Sequence, residues 1–475
     1  MNTIDGFLTE VRAFLKESQI ITDPREGDHY AQDWSAVLTP HASAIFFPEN
    51  TDEVSKILSC ASRLKISVVP SGGRTGLSGG AVATNGEVVI SLTRINFIRD
   101  LHLGSLTVQV GAGAITQAVH EFCEPHGVTW PVDFASKGSS CVGGNIATNA
   151  GGVRVIRYGN TRNWVLGLTA VTMDGVIHEF NGELEKNNTG IDFRQLIIGS
   201  EGTLGVITEA VLKLAPLPQS RAVFFFALRD FAAVIKLFGF ARSRISWLSA
   251  FECLDRSCLE SVMNHFKLKS PVNLDGDEST QPQVFVLMEV ENASSDESMV
   301  WMNDIFEAGL VIDGVMAQND REAKELWHYR EAVAESILAG HDVHQEDVSV
   351  PVAALSDFYS EIHARYAKAF GSGVFFFGHI GDGNLHIFIQ RPKSRSPSTE
   401  ATDRATFLAN AKSTDLELFE VLRGFQGSVS AEHGIGILKR HALHFTRSPI
   451  EIALMHGLKK VFDPAGLLNP GKVLP

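Results

Sequence analysis

"PSGGRTGLSGG", residues 70–80, directly follows the apolar run "ISVVP". Glycines interspersed with two serines and a threonine leave backbone N–H groups uncovered by side chains. At a strand end such a stretch forms a nest for the oxygens of a pyrophosphate. The competing reading is a flexible surface loop, which so many small residues beside a strand would make costly in entropy. The stretch lacks the P-loop lysine and the G-x-G-x-x-G spacing, so neither nucleoside-triphosphate hydrolysis nor a Rossmann site is supported. "GAGAIT" (111–116) is half of that fingerprint and reads better as a tight strand-to-helix turn.

Two further segments have the same character: "PVDFASKGSSCVGGNIATNAGGVRVIRYG" (131–159) and "GSEGTLGVIT" (199–208). Three glycine-rich segments from one domain suit a large, extended ligand with a diphosphate, a description that FAD fits. Around them, from about residue 40 to 217, short β-branched runs alternate with helical segments, which predicts an α+β or α/β unit. Prolines in "APLPQS" (215–220) mark its end. Beyond it, "AVFFFAL", "PQVFVLMEV" and "GVFFFGHI" read as buried strands of a second sheet-and-helix domain. The Phe-rich strands at 223–228 and 374–377 hint at a duplicated βαβ unit. "NLDGDESTQPQ" and "RPKSRSPSTEATDR" read as exposed polar loops.

A chain of 475 residues exceeds what one core usually supports. With 41 basic against 55 acidic residues the net charge is −14, which argues against nucleic-acid binding. Five cysteines (60, 123, 141, 253, 258) form no C-x-x-C pair and are odd in number, as in a reducing compartment. "MNTIDGFLTEVRAFLKESQ" reads as an amphipathic helix with acidic residues, not a signal peptide, and no apolar run is long enough to span a membrane. The expectation is a cytoplasmic protein, peripheral to the inner face of the membrane at most.

"GHIGDGNLHIF" (378–388) sets His379 and His386 on strand-like flanks of a Gly-Asp-Gly-Asn turn. A hairpin closed there brings the imidazoles side by side, either as a two-nitrogen claw for a transition metal or as rim histidines that only bond the turn.

In their order along the chain, "PSGGRTGLSGG", "GGNIATNAGG" and "GSEGTLGVIT" resemble the FAD-binding domain of the vanillyl-alcohol oxidase (p-cresol methylhydroxylase) superfamily. They are most similar to its D-2-hydroxyacid dehydrogenase branch of D-lactate, glycolate and D-2-hydroxyglutarate dehydrogenases. "GHIGDGNLH", "SAEHGIG" (430–436) and "FDPAGLLNPGK" (462–472) extend the match over about residues 38–475. The resemblance implies an α+β fold in four parts: an N-terminal helical segment (1–37), a two-part FAD-binding domain (38–217), a ferredoxin-like substrate or cap domain (218–428), and a C-terminal segment returning to the flavin (429–475). The implied cofactor contacts come from Ser71, Gly72, Gly73, Arg74, Thr75, Gly76 and Ser78 in the first segment. The second supplies Pro131, Asp133, Gly138, Ser139, Gly143, Gly144, Asn145, Asn149 and Gly152; the third supplies Gly202, Gly205, Val206 and Ile207, and Asn469 lies near the end of the chain. Arg74 stands where some members carry a flavin-linked histidine, so the FAD is expected to be non-covalent.

The resemblance also implies that His379, His386 and Glu432 hold a divalent metal, zinc by the character of the set, and that His433 is the general base and touches substrate. Arg330, in "LWHYREAVAESI", takes the substrate carboxylate through its planar fork. A 2-hydroxyacid would chelate the metal, lose its hydroxyl proton to His433 and its C2 hydride to the flavin. Three positions depart from the 2-hydroxyglutarate enzymes: Ala334, Gln345 and Phe388 replace a threonine, a lysine and an asparagine. Loss of a cation and two polar groups favours a smaller side chain, as in D-lactate, with D-2-hydroxyglutarate as the alternative. The implied partners are the hydroxyacid, an electron acceptor (quinone, cytochrome or electron-transfer flavoprotein) and a second copy in a homodimer. A zinc hydrolase without flavin and a non-catalytic flavoprotein subunit are the competing readings.

Overall fold

The computed structural model describes residues 3–277, 281–391 and 400–475. The chain forms two compact units: residues 1–152, 159–217 and 432–475 make the first, and residues 153–158 and 218–431 the second.

The first unit contains two main sheets. One has strand order β1-β2-β4-β3, built from β1 (Ile20–Ile21), β2 (Ala42–Phe46), β3 (Val68–Ser71) and β4 (Glu87–Ser91). Strands β2 and β3 both run parallel to β4. The helix Thr51–Leu64 crosses from β2 to β3. Asn50 caps it by accepting the Glu53 amide, and Val54, Ile57, Leu58 and Ala61 form its buried stripe. "PSGGRTGLSGG" therefore begins at the carboxyl end of a parallel strand, where ligand loops of α/β sheets gather. The chain next forms β5 (Ile98–His102), β6 (Thr107–Gly111), β7 (Val128–Thr129), β8 (Val165–Val171), β9 (Ile177–Phe180), β10 (Val206–Lys213) and β11 (Ala215–Pro216). Of these, β5-β6-β10-β8-β9 make an antiparallel sheet, while β7 and β11 pair separately. Phe7 and Val11 of the helix Thr3–Val11 are buried in this unit's core. The end of the chain returns beside β3: Val68 donates to the Leu467 carbonyl and Asn469 donates to the Val68 carbonyl.

The second unit holds one seven-stranded sheet, ordered β15-β12-β14-β13-β17-β18-β16. Its strands are β12 (Arg221–Leu228), β13 (Leu248–Asp255), β14 (Val284–Glu291), β15 (Asp313–Met316), β16 (Val343–Ser349), β17 (Val374–His379) and β18 (Asn384–Gln390). Every pairing is antiparallel. Since β12 and β13 both oppose β14, they are parallel to each other across it. The same holds for β16 and β17 across β18, so the sheet contains two split βαβ arrangements. The Phe-rich strands β12 and β17 are not equivalent members of the two: one is a first strand and the other a second.

Residues 153–158 fold with the second unit because that sheet buries two carboxylates. Arg154 donates to Glu289 (2.8 and 3.0 Å) and the Tyr158 hydroxyl donates to Glu291 (2.5 Å), both glutamates being 1 % exposed. Ile156 packs against Gly381, where any Cβ would collide with it. Residues 278–280 and 392–399 of the two polar loops lie outside the described residues. Glu400–Arg404 are not loop, since they open the helix Glu400–Gly424. The Ala-, Leu- and Glu-rich run after them carries helix back through residues that polarity alone assigns to a loop. Among the described residues, no helix is long and apolar enough to cross a membrane.

Candidate active site

The Gly-Asp-Gly-Asn turn closes a hairpin between β17 and β18, with Gly383 in the left-handed region at φ 83°. Its register pairs Phe377 with His386, which puts His379 two residues along on the neighbouring strand. Diagonal neighbours on one sheet face are within side-chain reach. The two rings, each more than nine-tenths buried, have centroids 5.3 Å apart.

Each histidine faces a carboxylate on its outer neighbour strand: Glu252 pairs in register with His379, and Asp347 with His386. Glu252 accepts from His379 Nδ1 (2.8 Å to Oε1), which leaves the ring's lone pair on Nε2. The Asp347 carboxylate lies 3.5 Å from His386 Nδ1 and accepts the Asn384 side-chain amide at 2.8 Å. Glu252 also holds Arg330, whose Nη2 lies 2.8 Å from Oε2. Arg330 is 6 % exposed, sits with its guanidinium 5.1 Å from the Phe377 ring centre, and buries an Nε that has no acceptor among the described residues. A buried guanidinium with an unused donor is suited to an incoming carboxylate. Burial pushes the nearby Asp382 carboxyl up to about 6, with the His379 ring pulling the other way. Gln345 is in register with Phe388 on the face of β16 that carries Asp347, and Ala334 packs against the apolar core containing Phe388.

The first unit brings the glycine segments together. A Cβ on Gly73 would collide with the Ser139 carbonyl, one on Gly72 would lie 3.2 Å from Cys141 Cβ, and one on Gly202 would lie 2.7 Å from Pro70. Asn469 ties the first and third segments, its Nδ2 donating to the Gly80 (3.0 Å) and Glu201 (2.8 Å) carbonyls. Several of the expected contact residues also make contacts within the unit itself. The Gly143 amide donates to the Ala112 carbonyl, and Asn145 Nδ2 donates to Thr116 Oγ1 at 2.6 Å. Asn149 accepts the Arg162 amide. Lys137 donates to Asp133, Gly152 abuts the Asp133 carbonyl, and Val206 and Ile207 are buried in β10. Pro131 is buried, Ser139 and Gly138 are exposed, and Gly205 makes ordinary contacts. Arg74 stacks on Tyr30 at 4.8 Å and lies 3.1 Å from His29 Nε2.

Glu432 and His433 open this unit's last stretch, one peptide bond beyond Ala431, whose amide donates to Asp347 (3.1 Å). Just after them, Ile435 and Gly436 donate to the half-buried Glu201 carboxylate at 2.8 Å each, and Ile437 and Leu438 donate to the Ser78 carbonyl. Glu201, Glu252 and Asp347 are neighbours of the candidate site residues that the sequence reading missed. Glu201 lay inside a quoted motif, whereas Glu252 showed only as a lone acid in an apolar strand.

Residues 42–181 match the FAD binding domain and residues 217–473 match the C-terminal domain of FAD linked oxidases. The D-2-hydroxyglutarate dehydrogenase of Xanthomonas citri is 44 % identical over 459 residues, covering 95 % of this chain and 93 % of that one. The enzyme of the same name from Stutzerimonas stutzeri is 37 % identical, covering 99 % of both chains. The chain belongs to the FAD-linked oxidase family. It is a flavin-linked oxidoreductase in the branch of those relatives. The p-cresol methylhydroxylase structure with substrate bound shares the fold, with a TM-score of 0.74 at 15 % identity over 100 % of this chain and 97 % of that one.

The first unit of this FAD-linked oxidase fits the cofactor. Ser71 Oγ, Ser200 Oγ, Asn469 Oδ1 and Lys472 Nζ are buried without hydrogen-bond partners among the described residues, and a Cβ on Gly144 would meet open space. Lys472 is 3 % exposed; burial pulls its ammonium down to about 8 despite the Glu87 carboxylate. A diphosphate or an electron-rich flavin edge would neutralise that cation. The hairpin fits a metal through its donor chemistry: imidazoles oriented by carboxylates are the usual support of a transition-metal ligand set.

Proposed function

We propose that the protein oxidises D-2-hydroxyglutarate to 2-oxoglutarate, using non-covalent FAD and a divalent metal, and passes the electrons to a quinone, a cytochrome or an electron-transfer flavoprotein. The observation that carries the chemistry is the buried Arg330–Glu252–His379 unit, which supports a carboxylate clamp and a metal ligand through one shared acid. The names of the relatives, matched over nearly their full lengths, support the five-carbon diacid over the D-lactate-like substrate that Ala334, Gln345 and Phe388 suggested. Gln345 supplies an amide in place of a lysine, a neutral donor for the distal carboxylate.

His379 and His386, with Glu432 as third ligand, would hold the metal. When bound, the flavin would supply an acceptor for the C2 hydride and the metal a Lewis acid for the hydroxyl. Arg330 fixes the C1 carboxylate so that C2 is presented in one orientation. His433 takes the hydroxyl proton, so hydride and proton leave together and the 2-oxoacid remains. Glu252 keeps Arg330 and His379 in register throughout. Assay of D- and L-2-hydroxyglutarate and D-lactate with an artificial electron-accepting dye tests the substrate reading. The highest kcat/KM should fall on D-2-hydroxyglutarate; a higher value on D-lactate would refute it.

A further inference from the structure

In "EHGIGIL" (432–438) the residue after His433 is glycine, and a second glycine follows at 436. Glycine holds its own backbone least well of all residues, so a chain that must present a side chain beside it gains from a grip outside the stretch. Glu201 supplies one. Its Oε1 accepts the Ile435 amide and its Oε2 the Gly436 amide, each at 2.8 Å. Two consecutive N–H groups closing on the two oxygens of one carboxylate form charge-assisted bonds of defined direction. This wrap also explains the glycines. At Gly434 φ is 81° and a Cβ would lie 2.9 Å from the Glu201 carboxyl carbon; at Gly436 φ is 48° and a Cβ would collide with the Ser78 carbonyl.

Glu201 lies in the third glycine segment and is tied to the other two. Its amide donates to the Ala147 carbonyl of the second at 2.8 Å. Its carbonyl accepts Asn469 Nδ2, which also donates to the Gly80 carbonyl of the first. Ser78, again of the first segment, accepts the Ile437 and Leu438 amides at 3.0 Å each, and the Gly436 carbonyl accepts the Val473 amide at 2.9 Å. The loops that fit the flavin are therefore the frame that fixes the backbone directly after His433. A proton acceptor needs such a frame, because a misplacement of about 1 Å costs roughly 100-fold in rate.

We propose that Glu201 is a positioning residue for His433: its carboxylate binds the 435–436 amides to the glycine segments and so sets where the imidazole is presented. The proposal rests on the reading of His433 as general base and adds the group that places it. In this role Glu201 acts only through His433.

The test is a double-mutant cycle, read by rapid anaerobic mixing of the FAD-loaded enzyme with D-2-hydroxyglutarate. Glu201→Gln keeps the volume but offers one acceptor oxygen to two amides, so the limiting rate of flavin bleaching should fall about 10- to 100-fold. The substrate concentration giving half that rate, and FAD affinity measured by fluorescence titration, should stay at their wild-type values. Gly434→Ala, which presses on the carboxylate from the other side, should have the same effect. The His433→Ala, Glu201→Gln double variant should be no slower than His433→Ala, since a base that is absent cannot be misplaced. A double variant slower by the full Glu201→Gln factor overturns the proposal, as does a Glu201→Gln protein whose only change is weaker FAD binding. Slow bleaching in His433→Ala beside a wild-type rate in Glu201→Gln removes Glu201 alone. A wild-type rate in His433→Ala removes the base assignment, and Glu201 with it.

Discussion

Glu252 is one acid with two buried dependants. Its carboxylate fixes the tautomer of His379 and balances the Arg330 guanidinium, all within hydrogen-bond distance. Glu252→Gln preserves the volume and removes the charge. Metal affinity measured by chelator competition should fall about 10- to 100-fold, the usual result of losing a carboxylate behind a ligating histidine. KM should rise while the flavin spectrum stays unchanged; unaltered metal affinity would count against the shared-acid reading. Lys472 makes a second case. Burial holds its folded value near 8, below the ordinary 10.5 of lysine, so the unfolded chain binds the proton more readily between those values. Apoprotein stability therefore gains from this residue as pH rises from 8 toward 10 and loses that gain as pH falls back through 8. Lys472→Met should flatten this slope in denaturant titrations and weaken FAD binding. A variant with wild-type FAD affinity would remove Lys472 from the cradle.

Among the elements, the segment 153–158 shows how burial of charge decides which unit a stretch joins. Burial pushes the Glu289 carboxyl up, but Arg154, Arg221 and the Ser249 hydroxyl outweigh it and hold it below the carboxylate range. Its contribution to stability is present above the ordinary carboxylate value and is lost as pH falls through the depressed one. Arg154→Met should cost about 3 kcal/mol at neutral pH, since it strands a buried carboxylate. The deficit should shrink in acid, and urea melts at two pH values check both. What the sequence disclosed at this scale follows from locality. The 381–384 turn and the glycine nests are written in adjacent residues, so they could be read. The pairings Glu252 with His379 and Asp347 with His386 join residues 127 and 39 apart through strand register, which no local pattern reports. Assignment of 153–158 to the second unit, and the helical start at Glu400, likewise depend on what lies across or beyond the segment.

At the scale of the whole molecule, the chain divides the labour. The glycines of the three segments, Asn469 and Lys472 belong to one unit, while the hairpin histidines and Arg330 belong to the other. Chelation should therefore abolish turnover and leave the flavin bound; full activity in metal-free enzyme would contradict the metal assignment. His433→Ala should lose roughly 10²–10⁴-fold in kcat, the span of a positioned base, with metal and FAD retained. The measurement that bears most directly on the account is anaerobic mixing of the purified holoenzyme with D-2-hydroxyglutarate, without any acceptor. The oxidised flavin absorbance should bleach fully, 2-oxoglutarate should appear in one equivalent per flavin, and the L-enantiomer should leave the spectrum unchanged. A flavin that stays oxidised with D-2-hydroxyglutarate, in enzyme carrying its metal, would contradict the account.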